Sequence, residues 1–145
     1  NPPLRGREHV EAVIAGDPAQ IEAMLAWSRE DLVKPLQGLG QEKLDTTSPA
    51  ERWSINGILS HIGGAEWWYM ERLGLAFPRA EIPDDPMERL EKVRKHFRTV
   101  LSRLEGVKKV IGVDGEFWSP RKILRRVLWH EHDHTNHIRK LIVMK

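Results

Sequence analysis

Two histidines four residues apart, His130 and His134, lie near the C-terminal end of this sequence. Four residues span just over one turn of an α-helix, so both imidazoles would leave the same side of the helix and could bind one metal ion. Two histidines and a third ligand from another element form a divalent-metal site that keeps open positions for chemistry. The spacing therefore predicts a metal centre more clearly than it predicts a reaction.

The predicted third ligand is His61. In the helix predicted over residues 54–73, His61 falls on the same stripe as Gly57, Gly64 and Ala65. These small residues predict free space beside an inward-facing histidine, as a metal ion and a substrate would require. Interior glycines cost a helix about 0.8–1.0 kcal/mol each relative to alanine, so their presence on this stripe indicates a spatial reason.

Inward-facing histidines also have a simpler explanation, because a single buried imidazole is usually a core side chain that is hydrogen-bonded to a neighbour. Three of them on two helices, two at ligand spacing, favour a metal site instead. Burial of several imidazoles costs stability unless each one finds a partner.

The position of His137 leaves a choice open. It lies two turns from His130, about 10 Å along the helix axis, which is too far for the two side chains to bind one ion. His134 and His137 form an alternative ligand pair. We predict instead that His137 lies beside the ligands or faces a substrate.

Three further side chains are predicted to lie beside the ligands or to face a substrate. Glu131 points about 80° from the centre of the stripe assigned to the last helix. Arg94 falls on the inward stripe of the third helix, where it could hold a substrate carboxylate or extend along the bundle towards solvent. Trp68 falls on the histidine side of its helix. No general base or other catalytic residue can be assigned.

Four amphipathic helices are predicted to position these side chains. They cover approximately residues 18–33, 54–73, 86–105 and 120–143. Capping side chains followed by proline mark three of the starts, at Asp17-Pro18, Asp85-Pro86 and Ser119-Pro120. Residues 107–113 would form at most a short ribbon, since no stretch alternates like a strand for long. The prediction is an all-α four-helix bundle with long loops between its helices.

The composition narrows the function classes. The 145 residues predict one domain, 1–145, with a core of its own. The sequence has no cysteine, which excludes a disulfide, a thiolate ligand and a cysteine nucleophile, and we expect a cytoplasmic protein. A net charge of +2 and the basic cluster at 121–126 predict a solvated helix face rather than a nucleic-acid surface. No run approaches the roughly 20 apolar residues of a membrane span.

Two segments resemble motifs of the DinB-like proteins. Residues 53–66 read W-S-I-N-G-I-L-S-H-I-G-G-A-E and resemble the opening of the second helix in that family. Residues 126–134 read R-V-L-W-H-E-H-D-H and resemble the H-E-x-x-H segment of its final helix. Because helix order and chain length also agree, the resemblance covers nearly the whole chain.

The DinB-like resemblance implies a four-helix bundle of up-down-down-up or related topology, usually paired as a homodimer. It also implies a divalent metal bound by three histidines, which in this sequence are His61, His130 and His134. His137 is a departure, because relatives often have glutamine at its position.

Characterised DinB-like proteins include transferases and isomerases that use low-molecular-weight thiols such as bacillithiol or mycothiol. The resemblance therefore implies a metal-dependent transferase that joins such a thiol to a small electrophile. Zinc or nickel is the expected metal, and iron or manganese are alternatives, because all four accept imidazole ligands.

Two other functions compete with thiol transfer. Residues 130–134 satisfy H-E-x-x-H, the zinc-peptidase signature in which the glutamate, here Glu131, is the general base. Against a peptidase, no sheet is predicted that could align a peptide substrate. The third possibility is a non-catalytic module that binds a metal or a small molecule, with six tryptophans supplying a core or an apolar pocket.

Overall fold

Long helices dominate the computed structural model, which describes residues 18–103, 111–113, 116–118 and 120–143. In these residues the elements are α1 (Pro18–Val33), a 3-10 turn (Lys34–Leu36), α2 (Gln41–Asp45), α3 (Ile55–Arg72), a second 3-10 turn (Arg79–Glu81), α4 (Pro86–Arg103), strands β1 (Ile111–Val113) and β2 (Glu116–Trp118), and α5 (Pro120–Val143). The strands pair antiparallel as one small ribbon. The all-α class is therefore confirmed.

Side-chain caps explain where two of the helices begin. The Ser54 hydroxyl accepts a hydrogen bond from the backbone N–H of Gly57 (3.0 Å), and the Asp85 carboxylate accepts one from Glu88 (3.0 Å). Each cap satisfies an amide that has no partner inside its own helix. The caps predicted at Asp17 and Ser119 lie outside the described residues.

Contacts between α3 and α4 show that these neighbours run in the same direction. Arg89, in the first turn of α4, donates to the carbonyl oxygen of Ser60 (3.2 Å). Further along both helices, Arg94 donates to Glu66 (3.0 Å). The connection between the two helices must therefore return along the length of the bundle, which explains why it is long.

The remaining helices complete an up-down-down-up bundle. Leu25 of α1 shares an apolar cluster with Val127 of α5, and Leu32 shares a second cluster with Ile138, so α1 and α5 run parallel. His61 of α3 lies against α5, and residues near the start of α3 share a cluster with those near the end of α5, so this pair is antiparallel. The predicted topology is confirmed.

A buried polar layer lies between the two apolar clusters. Along α1, α3 and α5, one cluster precedes this layer and the other follows it. Three charged side chains form its centre, Glu66 of α3, Arg94 of α4 and Glu131 of α5, and none is more than 3% exposed. Ser28 and Arg29 of α1 complete it. All four long helices of the described chain thus contribute to one layer.

No helix in the described part of the chain combines the length and the apolar character that crossing a membrane requires.

Candidate metal centre

Three histidines from two antiparallel helices converge on one point. One nitrogen from each of His61, His130 and His134 lies within 4.8 Å of the other two. The Nε2 atoms of His61 and His130 are 3.0 Å apart, and the ring centroids of His130 and His134 are 4.5 Å apart. The four-residue spacing on α5 and the opposite direction of α3 together bring these rings to the same level of the bundle.

This cluster fits a divalent transition-metal ion. Zinc binds histidine nitrogen at about 2.0–2.1 Å, which puts two nitrogens of one tetrahedral ion about 3.4 Å apart. The separations in the cluster, from 3.0 Å up to 4.8 Å, bracket that value. Three imidazoles without a thiolate or carboxylate suit zinc, nickel and iron alike. His61, His130 and His134 could therefore hold a divalent ion whose identity the geometry leaves open.

The surroundings keep the three imidazoles neutral, which is the form that binds a metal. Burial lowers the pKa of His130 to about 4, and His134 and His61 reinforce the shift because a proton on one ring would repel protons on the others. Burial also lowers the pKa of His61, and the nearby Arg52 guanidinium adds to it. The pKa of His134 is lowered for the same reasons, burial first and then His61.

Acidification is expected to destabilise the metal-free protein through His130. The pKa of this histidine is about 4 in the folded protein and 6.5 ordinarily, so the unfolded chain takes up a proton first as the pH falls. The neutral His130 contributes its full stabilisation above pH 6.5. This contribution decreases between pH 6.5 and about 4 and is lost below that. The thermal unfolding midpoint should fall more steeply over this range in the parent than in His130→Gln. Parallel curves for the two proteins would contradict this.

The sequence comparisons identify the family of this chain. A family model described as the DinB superfamily matches residues 24–138, well over half of the chain. The chain belongs to the DinB superfamily. There is no significant match among curated proteins or among solved structures. The family resemblance that two motifs indicated is confirmed. The matched range contains His61, His130 and His134.

Trp53, the first residue of the DinB-like motif on α3, covers His61. The two rings lie 4.6 Å apart at an angle of 30°. The Arg52 guanidinium lies 4.9 Å from the Trp53 ring, so the loop before α3 forms one wall of the site. In the sequence, Trp53 was only the first residue of the motif at 53–66 and was not predicted to contact the histidines. The motif included Trp53, but the sequence did not predict that its ring packs over the first turn of α3.

One of the two glycines predicted to leave space beside His61 has a different role. A Cβ atom on Gly57 would lie 3.0 Å from Cβ of Trp53, and one on Gly63 would lie 2.8 Å from Cγ of Arg89. Gly57 therefore makes room for a tryptophan rather than for a metal ion and a substrate, whereas Gly63, which was not among the predicted glycines, makes room for an arginine.

Replacing Gly57 by valine is expected to destabilise the protein by about 1–3 kcal/mol and to weaken metal binding, because the branched side chain would force Trp53 away from His61. The matched control is Gly64→Val, which carries the same cost to the helix but meets only Arg89 Nη1, at 3.7 Å. Urea unfolding and zinc titration of both variants would test this. Equal effects in the two variants would argue against a specific role for the space at Gly57.

His137 lies beside the cluster without joining it. Its Nε2 atom lies 2.9 Å from a carboxylate oxygen of Glu51, and its ring centroid is 6.4 Å from that of His134. The structure thus pairs His137 with Glu51, a residue that sequence reasoning did not select, instead of forming the alternative ligand pair with His134. The contact joins α5 to the loop that carries Trp53.

The glutamate of the H-E-x-x-H segment points away from the three histidines. Glu131 is fully buried and accepts hydrogen bonds from Ser28, from Arg29 (2.9 Å) and from Arg94 (3.1 Å). Burial alone would raise the pKa of Glu131, but the two arginines outweigh it and hold the pKa below its usual value. Glu131 is therefore an ionised, fully paired carboxylate of the polar layer and does not face a substrate.

Arg94 likewise belongs to the interior. Its guanidinium donates two hydrogen bonds to Glu66, at 2.9 and 3.0 Å, and a third to Glu131. Both interpretations from the sequence were wrong, since this arginine neither faces a substrate nor extends towards solvent. Its partners come from two other helices, so neither could be identified from the stripe on α4.

Trp68 lies on the outside of α3 and is 40% exposed, under the Arg72 guanidinium at 4.4 Å. Seven residues separate Trp68 from His61, so both lie on the same side of α3, with Trp68 two turns further along. The stripe through these two residues was predicted to face inward, and that direction was wrong. The buried side chains of α3 define a different stripe, Ile55, Ile58, Leu59, Ile62, Glu66 and Met70, and His61 lies about 100° from Ile62. The cluster thus occupies a flank of the bundle, where Tyr69 lies 6.2 Å from His130.

Proposed function

We propose that this DinB superfamily protein is a metal-dependent transferase that joins a low-molecular-weight thiol to a small electrophile. The observation that supports it is the cluster of His61, His130 and His134 on a flank of the bundle. Three neutral imidazoles add no negative charge, so a divalent ion bound there would keep its charge and open positions and would lower the pKa of a thiol that binds it.

The residues around the cluster have separate tasks in this proposal. His61, His130 and His134 would hold the ion, and the Trp53 ring packs against the His61 ring and would limit its orientation. The positive charge of Arg52 next to His61 favours an anionic group, such as a thiolate, in the same place. The sequence contains no cysteine, so the reacting thiol would be a substrate.

The peptidase alternative lacks its general base. In H-E-x-x-H peptidases the glutamate must reach the water bound at the metal. Glu131 is instead held by Ser28, Arg29 and Arg94 in the polar layer. Freeing it would leave the buried Arg94 and the half-buried Arg29 without a full set of partners, which is costly. This contact pattern favours thiol transfer over peptide hydrolysis.

The family resemblance adds a homodimer to the proposal, and the absence of cysteine adds a cytoplasmic location. Size-exclusion chromatography with light scattering measures the mass of the protein in solution and so tests the homodimer directly. A mass equal to one 16.8 kDa chain at all concentrations would reject the dimer.

The test combines metal content with thiol consumption. The protein is loaded separately with zinc, nickel, iron or manganese, then assayed with bacillithiol, mycothiol, glutathione or cysteine and the electrophile monobromobimane. We expect near-stoichiometric metal and a metal-dependent conjugation rate in the parent, and loss of both in His61→Ala. The matched control is His132→Ala, an exposed histidine on the same helix as two of the ligands, and it should behave like the parent. Stoichiometric metal without thiol consumption would reject the transferase and leave a metal-binding module.

A further inference from the structure

A cleft of about 400 Å³ lies between α2, the start of α3 and the end of α5, and it is lined by Trp53 but by none of the three histidines. Its walls include Glu42 and Lys43 from α2, Ile55 from α3 and Leu141 from α5, together with Trp53. Small-molecule sites usually have volumes of about 300–1,000 Å³, so this cleft has room for a compact ligand.

Trp53 is common to the cleft and the histidine cluster. The same indole that lines the cleft lies 4.6 Å from the ring of His61. It is held there by close packing against Gly57 in the first turn of α3. A group that enters the cleft would therefore pack against a side chain that touches one of the predicted ligands. This shared wall distinguishes the cleft from an ordinary surface depression.

The chemistry of the walls indicates which ligand would bind. Trp53, Ile55 and Leu141 form an apolar part, and an indole offers a flat surface for a ring. Glu42 and Lys43 add one negative and one positive charge. The Lys43 ammonium also donates to the carbonyl oxygen of Leu141 (3.3 Å), which keeps the charge at the wall. Paired charges of opposite sign favour a zwitterion over a ligand with a large net charge.

We propose that this cleft binds the non-reacting part of the substrate, and that this part is an amino-acid-like zwitterion with a flat apolar group. The ammonium of the ligand faces Glu42, its carboxylate faces Lys43, and its apolar group packs on Trp53. This inference rests on the proposed function, because it names the substrate class for the same site. Binding in the cleft itself, however, requires no metal and can be measured without one.

The experiment titrates metal-free, ¹⁵N-labelled protein with L-phenylalanine and follows the six tryptophan indole signals, of which the Trp53 signal is identified by its loss in Trp53→Phe. We expect a saturable shift of the Trp53 signal. Glycine, which lacks the ring, and benzyl alcohol, which lacks both charges, should bind more weakly than L-phenylalanine.

Two variants test the assignment of each charge. Lys43→Met should weaken binding of L-phenylalanine about fivefold, as expected for one partly exposed ion pair, without weakening binding of phenylalanine amide, which has no carboxylate. Glu42→Gln should weaken L-phenylalanine similarly without weakening N-acetylphenylalanine, which has no ammonium. The matched control is Lys95→Met, an exposed lysine of α4 outside the cleft, and it should bind all ligands like the parent.

The outcomes separate this inference from the proposed function. An unchanged Trp53 signal, or equal losses for all ligands in Lys43→Met, would overturn the zwitterion subsite even if the metal-loaded protein conjugates thiols. Charge-dependent binding in the cleft would support the subsite even if the protein takes up no metal, in which case the transferase alone fails.

Discussion

Replacing Arg94 by methionine is expected to destabilise the folded protein by about 3–5 kcal/mol, because it leaves two buried carboxylates without their shared partner. Arg94 is 3% exposed and donates to both Glu66 and Glu131. Its two partners lie on α3 and α5, the helices that carry the three histidines, so metal affinity should fall as well. Urea unfolding with and without zinc measures both effects.

The matched control for this change is Arg98→Met, one turn later on the same helix. Arg98 pairs with Glu22 at 3.1 Å, but the two side chains are 45% and 52% exposed. Exposed pairs contribute about 0–1 kcal/mol, so this variant should unfold almost like the parent. Adding Glu66→Gln and Glu131→Gln to Arg94→Met should restore part of the lost stability, because no buried charge then lacks a partner on those two helices. Similar losses in Arg94→Met and Arg98→Met would contradict a special role for the buried arginine.

The second large effect concerns the response to metal. A ligand that binds only the folded state at 100 times its Kd stabilises it by about 2.7 kcal/mol. We therefore expect zinc to raise the unfolding free energy of the parent by this amount, and to have almost no effect on His130→Ala, which keeps two of the three nitrogens. His132 is exposed, so the variant His132→Ala should respond to zinc like the parent.

The interpretation of the zinc response depends on how stable the metal-free parent and the metal-free variant are. If His130→Ala unfolds like the metal-free parent yet fails to respond to zinc, the lost response belongs to the site. If it still gains the full stabilisation, His130 is not a ligand and zinc binds the folded protein through other side chains. Calorimetric scans at several zinc concentrations distinguish these cases.

Much of the fold was predictable because local rules determine it. Asp85-Pro86 fixes the start of α4, Ser54 caps α3, and apolar spacing gives the four long helices. The spacing of His130 and His134 also predicted that these two rings would lie together. The parallel run of α3 and α4 did not follow from the residues, because only the family resemblance implied that topology.

The errors in predicting which side chains face inward came from the direction that was taken as the centre of the inward-facing stripe of each helix. On α5 the assumed centre of the inward-facing stripe lay about 80° from Glu131, which made Glu131 peripheral and the histidines central. The buried residues show the reverse, with Glu131 fully buried and the histidines on the flank. A shift of a few tens of degrees in an assumed centre is enough for this exchange. Partners that come from other helices, such as those of Arg94, cannot be found from one helix alone.

The polar layer also has a consequence for how the helices can slide. Apolar clusters tolerate a slip of one turn, about 5.4 Å, because one aliphatic side chain then replaces another. The same slip of α5 would put Val127 or Thr135 opposite Arg94 in place of Glu131, and would leave buried charges unmatched. One axial alignment of α5 against α3 is therefore strongly preferred. It is the alignment that sets His61 level with His130, so the interior charges fix the position of the site on the surface.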